Sequence, residues 1–116
     1  RGSYSVGTKF LFIGYDHSTG SEIGEYLKGK SARSFFAGNS EEAIRIMDRF
    51  RIDNVVITLR RQEDFGVLNY INQYYNDINV IVTASKAINE LITLLERGKF
   101  SLLSQPLKLE DLKRYL

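Results

Sequence analysis

Strict alternation of short apolar runs with helically spaced segments predicts an α/β domain of the (βα)5 type, a five-stranded parallel sheet with helices on both faces. Two observations carry this. The apolar runs at 10–13, 35–37, 55–57, 80–82 and 102–103 are short and nearly continuous, as in strands covered on both sides. Between them apolar residues recur at helical intervals behind short polar connections. Such an alternation closes through right-handed crossovers into a doubly wound sheet.

Each element has its own mark. Residues 1–8, RGSYSVGT, show neither an initiator methionine nor periodicity, and are expected to form a disordered leader or cloning remnant. The domain is expected over 9–116. Its first strand leads into a helix whose buried face is set by Ile23, Tyr26 and Leu27. Ala43, Ile44, Met47 and Phe50 mark the second helix, and Val67, Leu68, Ile71 and Tyr75 the third. Ile88, Leu91, Ile92 and Leu95 mark the fourth. A fifth opens at Leu109, where Leu107 and Leu112 can staple around Lys108 and Asp111 sits favourably in the first turn. It spans only about two turns before the sequence ends, so a truncated fifth helix with an attached output domain is expected.

Composition bounds the function. With 116 residues, 43% hydrophobic and 26% charged, the chain can bury one sizeable core. Sixteen basic against fourteen acidic residues leave a net charge of +2, too little to demand nucleic acid or an anionic membrane as partner. No apolar run approaches the roughly 20 residues of a membrane span. Zero cysteines exclude disulfide and thiol chemistry, and a single histidine excludes the usual zinc site. A cytoplasmic domain without metal or cofactor is expected.

In a doubly wound sheet, functional groups gather outside the carboxyl ends of the strands, near the switch in strand order. Here those are Gly14, Tyr15, Asp16 and His17, then residues 58–61, 83–86 and 104–106. With these spacings the chain resembles, over 9–116, the receiver domain of response regulators, the CheY-like family. The family's third-strand aspartate falls on Thr58 and the glycine opening its third helix on Gly66. Its Thr/Ser-Ala pair and the glycine one helix later fall on Thr83, Ala84 and Gly98. Its lysine-proline pair matches Gln105 and Pro106 in QPLKLEDL, and its acidic pair falls on Gly14 and Tyr15. The resemblance implies the flavodoxin-like strand order 2-1-3-4-5 and a cis peptide before Pro106.

The departures from that family lie where its chemistry lies. The resemblance assigns phosphoryl acceptance to position 58, Mg²⁺ binding to the acidic pair, and contact with the phosphoryl oxygens to the lysine. Thr58, Gly14, Tyr15 and Gln105 supply none of these groups. Mg²⁺ needs hard oxygen ligands, and without metal or lysine nothing offsets the charge of a transferring phosphoryl group. A hydroxyl with no adjacent base does not replace an ionised carboxylate as nucleophile. Asp53 lies five residues before Thr58, roughly 16 Å away at the opposite strand end. Asp16, Glu63 and Asp64 are at the correct end, but one carboxylate beside Tyr15, with Arg60 and Arg61 near, makes a poor cation site. The family's aromatic switch residue falls on Leu102, so its coupling to Thr83 is expected to be lost.

A second reading comes from GYDHSTGSE, which resembles the phosphate loop of flavodoxins and would make the chain a nucleotide, flavin or other anion binder. Against it, His17 and Glu22 stand where hydroxyl residues belong, and the short loops after strands three and four carry no aromatic near the strand end to stack on a flavin. Ser18 and Ser21 are read instead as helix caps. His17 is read as a solvated loop residue rather than a general base, and Arg60 and Arg61 as a solvated loop rather than an anion site. Ile71 and Tyr75 are placed toward the core, with Tyr70 and Tyr74 on its flank.

The expected function is a phosphorylation-independent, non-catalytic pseudo-receiver that signals by protein contact. Ala87, Ile88, Leu91, Ile92, Leu94 and Leu95 cover an arc of about 160°, wider than the roughly 100° stripe of a surface helix. A symmetric homodimer is therefore expected through Leu94, rimmed by Glu90 and Arg97, with Lys113 and Arg114 from the fifth helix; a wide core-facing helix in a monomer is the competing reading.

Overall fold

The computed structural model describes residues 7–59, 64–75, 77–84, 100–104 and 107–116. Five strands, β1 (Lys9–Ile13), β2 (Arg33–Ala37), β3 (Asn54–Thr58), β4 (Asn79–Ala84) and β5 (Phe100–Ser104), form one sheet. Helix α1 (His17–Gly29) follows β1, α2 (Ser40–Arg49) follows β2, and α3 (Asp64–Tyr74) follows β3. A 3₁₀ helix (Leu109–Tyr115) ends the chain. Every pairing is parallel and the order is β2-β1-β3-β4-β5, as expected. The expected fourth helix lies outside the described residues, as do Glu90, Leu94, Arg97 and the Gln105–Pro106 peptide.

Strand pleating sorts side chains onto two faces. Phe10 and Phe12 of β1, Val56 of β3 and Ile81 of β4 pack with Ile23 and Leu27 of α1 and with Leu112 of the 3₁₀ helix. Their strand neighbours Leu11, Ile13, Val55, Ile57, Val80 and Val82 pack with Ala43 and Met47 of α2 and Val67, Leu68 and Ile71 of α3. Helices on both faces explain why β3 is buried throughout and why its sequence is a continuous apolar run rather than an alternating one.

The structure corrects three expectations. β2, the edge strand of the expected order, is covered less deeply than its apolar run suggests: Phe35 is half-buried and Phe36 is 38% exposed. The last helix is 3₁₀ rather than α, with Asp111 N–H donating to the Lys108 carbonyl at 2.9 Å and Lys108 N–H to the Asp111 carboxylate at 3.3 Å. At seven residues it is longer than most 3₁₀ runs. The staple pair nevertheless meets, since buried Leu112 and half-buried Leu107 share one cluster. Tyr75 lies just past α3 and, though it packs against the core as expected, is only half-buried. At the amino end, Thr8 already contributes to the fold, its carbonyl accepting from Arg33 N–H at 2.9 Å.

Candidate functional site

The carboxyl ends of β1, β3 and β4 hold a chain of three hydroxyls. After β1 the backbone reverses at Gly14, where φ is +88°, a conformation glycine adopts without steric cost. A Cβ at this position would also come within 3.3 Å of the Thr58 carbonyl. Gly14 N–H donates to the Ala37 carbonyl at 3.2 Å, so the turn stays tied to β2 while it redirects the chain. Tyr15 consequently lies across the strand ends, its ring edge-on to Phe12 with centroids 5.8 Å apart.

The tyrosine hydroxyl stands 3.1 Å from Thr83 Oγ1, and Thr58 Oγ1 lies 2.7 Å from the same oxygen. Parallel register brings the two threonines side by side, Thr58 opposite Thr83. Thr83 is fully buried and Thr58 nearly so, so both hydroxyls need internal partners. Thr83 Oγ1 donates to the Ile57 carbonyl at 3.4 Å. A hydroxyl has one proton and two lone pairs. If Tyr15 and Thr58 both donate to Thr83, all three protons are used. All three members of this chain are neutral hydroxyls.

The acids near the site are committed or too few. Asp16 is the N-cap of α1, its Oδ1 accepting from Thr19 N–H at 2.7 Å. The cap expected at Ser18 and Ser21 is therefore Asp16, because the Gly14 turn delivers residue 16 in an extended conformation and the helix starts at His17. A carboxylate there also meets the positive end of the helix dipole. Ser18 and Ser21 are exposed within the helix, and His17 opens it rather than lying in a loop. Two amides of the GYDHSTGSE loop are engaged by Asp16, Thr19 N–H through its carboxylate and Gly20 N–H through its carbonyl at 2.9 Å. Asp64 is buried in the first turn of α3. Asp53 sits at the opposite strand end, as expected, accepting from Lys9 N–H at 2.9 Å.

Mg²⁺ does not fit these residues. Gly14, Tyr15 and Thr58 bring no carboxylate to the strand ends, and no group of three potential metal ligands occurs among the described residues. Arg60, Arg61, Glu63, Gln105 and residues 85–86 lie outside the described residues. Thr83 takes an aromatic partner from the β1–α1 turn, where Tyr15 reaches it. Nothing in the sequence announced that contact, which spans two strands; the aromatic after Gly14 was the one available signal.

A second polar cluster lies between α2 and α3, away from this end. Tyr70 donates to the Asp48 carboxylate at 3.3 Å and Tyr75 donates to the same oxygen. The hydrogen bond to Asp48, with burial second, pushes the Tyr75 phenol up to about 12. Tyr74 is exposed beside them.

No protein-family model and no curated protein matches the sequence. Solved structures do match the fold. A CheY-like response-regulator receiver domain from Methanospirillum hungatei superposes with TM-score 0.80 at 14% identity, over 94% of this chain and 90% of that one. A two-component response regulator from Clostridium difficile gives 0.79 at 22% identity, over 93% and 91%. The Vibrio cholerae chemotaxis protein CheY4 gives 0.79 at 15% identity, over 95% and 96%. The chain has the response-regulator receiver fold. No helix among the described residues is long and apolar enough to cross a membrane.

Proposed function

We propose that this domain is a response-regulator type signalling module that works without aspartyl phosphorylation, through contact with a protein partner, an attached output domain or a second copy of itself. The observation that carries the reading is the neutral hydroxyl chain of Tyr15, Thr83 and Thr58, set where the resemblance puts an acidic pair and a phosphoryl acceptor. Chemistry at that point would need a metal and an activated nucleophile, and the side chains supply neither. Signalling then rests on surfaces. The dimer proposed through Leu94, Glu90 and Arg97 would add Lys113 and Arg114, both exposed on the 3₁₀ helix; Leu94→Glu should abolish it in sedimentation experiments.

The test of the main reading is direct. Small phosphodonors, or beryllofluoride with Mg²⁺, should leave the mass and the amide NMR spectrum unchanged, in the wild type and in Thr58→Asp alike. A covalent adduct, or saturable shifts at Thr58 and Thr83 in the wild type, overturns it.

A further inference from the structure

We propose that the outer face of α3 is a contact surface for a second copy of this chain, paired across a two-fold axis that passes beside Asn69. The first observation is where charge is missing. Exposed positions of α1 include Glu22, Glu25 and Lys28, and those of α2 include Glu41, Arg45, Asp48 and Arg49. On α3 the exposed positions are Gly66, Asn69, Asn72, Gln73 and Tyr74, and no charged side chain follows Asp64 in that helix. Helix stability does not explain this choice, since glycine and asparagine are poor helix formers. The second observation is an aromatic ledge along one side of the face. Tyr70 and Tyr75 both donate to Asp48, and the Tyr74 ring lies 4.8 Å from that of Tyr70. Tyr74 is 61% exposed, more than any other large apolar side chain among the described residues. Tyrosine without charge is the composition of an interface centre, and rings already held by neighbours lose little freedom on binding.

Charge decides the occupant. A two-fold axis sets each residue near it against its own copy, so a charge at the centre would oppose a like charge and cost binding. The exposed faces of α1 and α2 fail that condition, and the face of α3 meets it. An asparagine amide is both donor and acceptor, so Asn69 can give a hydrogen bond to its copy and take one back. Gly66, Asn69 and Gln73 follow one stripe at i, i+3 and i+7. With the two helices antiparallel, Gly66 falls opposite the partner subunit's Gln73. A Cβ at Gly66 would meet no described atom within 4 Å, which leaves room for the longer side chain. One helix of 11 residues offers less than the roughly 800 Å² that each side of a standard interface buries. Association is therefore weak and concentration-dependent. The surface is separate from that proposed through Leu94 and does not depend on the absence of phosphoryl transfer, so either reading can fail alone.

Sedimentation equilibrium with a charge swap at the axis tests the pairing. Asn69→Asp and Asn69→Lys each set like charges against each other, and because the position is exposed both should keep the circular dichroism of the unsubstituted chain. The series is run on Leu94→Glu, which removes the other proposed contact. That protein should dimerise reversibly by about 1 mM. Each Asn69 variant should associate at least about tenfold more weakly, and an equimolar mixture of the two should recover association, because opposite charges then meet. Recovery cannot come from misfolding. A protein still monomeric at about 1 mM, which would leave the face to a different protein, overturns the proposal. So does an Asn69 variant that associates as its parent does, or a mixture that associates no better than its components. Should Leu94→Glu fail to fold, the mixture on the wild-type background decides, since only a contact at Asn69 responds to it.

Discussion

Thr58 shows how strand register commits a side chain to an internal contact. It sits beside Thr83 in register, and its hydroxyl is absorbed into an internal chain rather than offered to a ligand. Asp48 plays the opposite part, as an acceptor shared by two phenols at the other side of the domain. That sharing has a pH signature. The Tyr75 phenol is raised from 10.0 to about 12, first by its hydrogen bond to Asp48. A phenol whose folded value exceeds its unfolded one contributes stability that is fully present below pH 10 and lost as pH rises toward about 12. The urea midpoint of the wild type should therefore exceed that of Tyr75→Phe below pH 10, and the gap should close above it; a constant gap counts against the bond. At this scale the sequence told where residues would lie better than what they would touch. Gly14, Tyr15, Thr58 and Thr83 were placed at one sheet edge by strand spacing alone. The Tyr15 bridge was not legible, because it depends on a backbone reversal at Gly14 and on the distance across a third strand.

At the scale of elements, the strand order and the faces of the first three helices were readable because apolar periodicity reports burial directly. Ile23 and Leu27 of α1, Ala43 and Met47 of α2, and Val67, Leu68 and Ile71 of α3 are all buried. Ends were less readable. In DHSTGS, residues 16–21, several residue types favour an N-cap, and only the turn before them selects Asp16. The choice makes a sharp prediction. Asp16→Ala should cost about 1 kcal/mol, the usual value of a lost cap, whereas Ser18→Ala and Ser21→Ala should stay within about 0.5 kcal/mol because both are exposed helix residues. Equal losses at Ser18 and Asp16 in denaturant titrations would move the cap back to the serine. The edge strand β2 was misjudged for a related reason. Its Phe35 and Phe36 look like core residues in sequence, yet Phe35 stacks on Phe50 and under Arg33. Phe36 packs against the face of Gly20 on α1, where a Cβ would meet its ring at 3.3 Å. Aromatic rings at a sheet edge are half-covered by such neighbours, which hydropathy does not distinguish from full burial.

Across the whole molecule, two cores share the same central strands, so neither can melt without exposing the other. Among the described residues the face of α2 and α3 is the larger, and the face of α1 is closed at one side by the 3₁₀ helix through its one fully buried residue, Leu112. That helix is also tied down at its end, where Asn54 of β3 donates to the Tyr115 carbonyl at 3.2 Å while accepting from Asn79 at 3.0 Å. Asn54 is itself 1% exposed, so these bonds are what make its burial tolerable. Seven residues of 3₁₀ helix have little stability of their own, and Leu112 must supply it by packing. Leu112→Ala should then destabilise the whole domain by about 2–5 kcal/mol, the range for truncating a buried leucine. Because Phe10, Phe12, Val56 and Ile81 back onto the strands that carry the other core, the loss should appear as one lowered, still cooperative transition. Tyrosine fluorescence and far-ultraviolet circular dichroism should give the same midpoint. Separate midpoints, with the helical signal outlasting the tyrosine signal, would mean that the 3₁₀ helix peels away independently and that the α1 core does not depend on it.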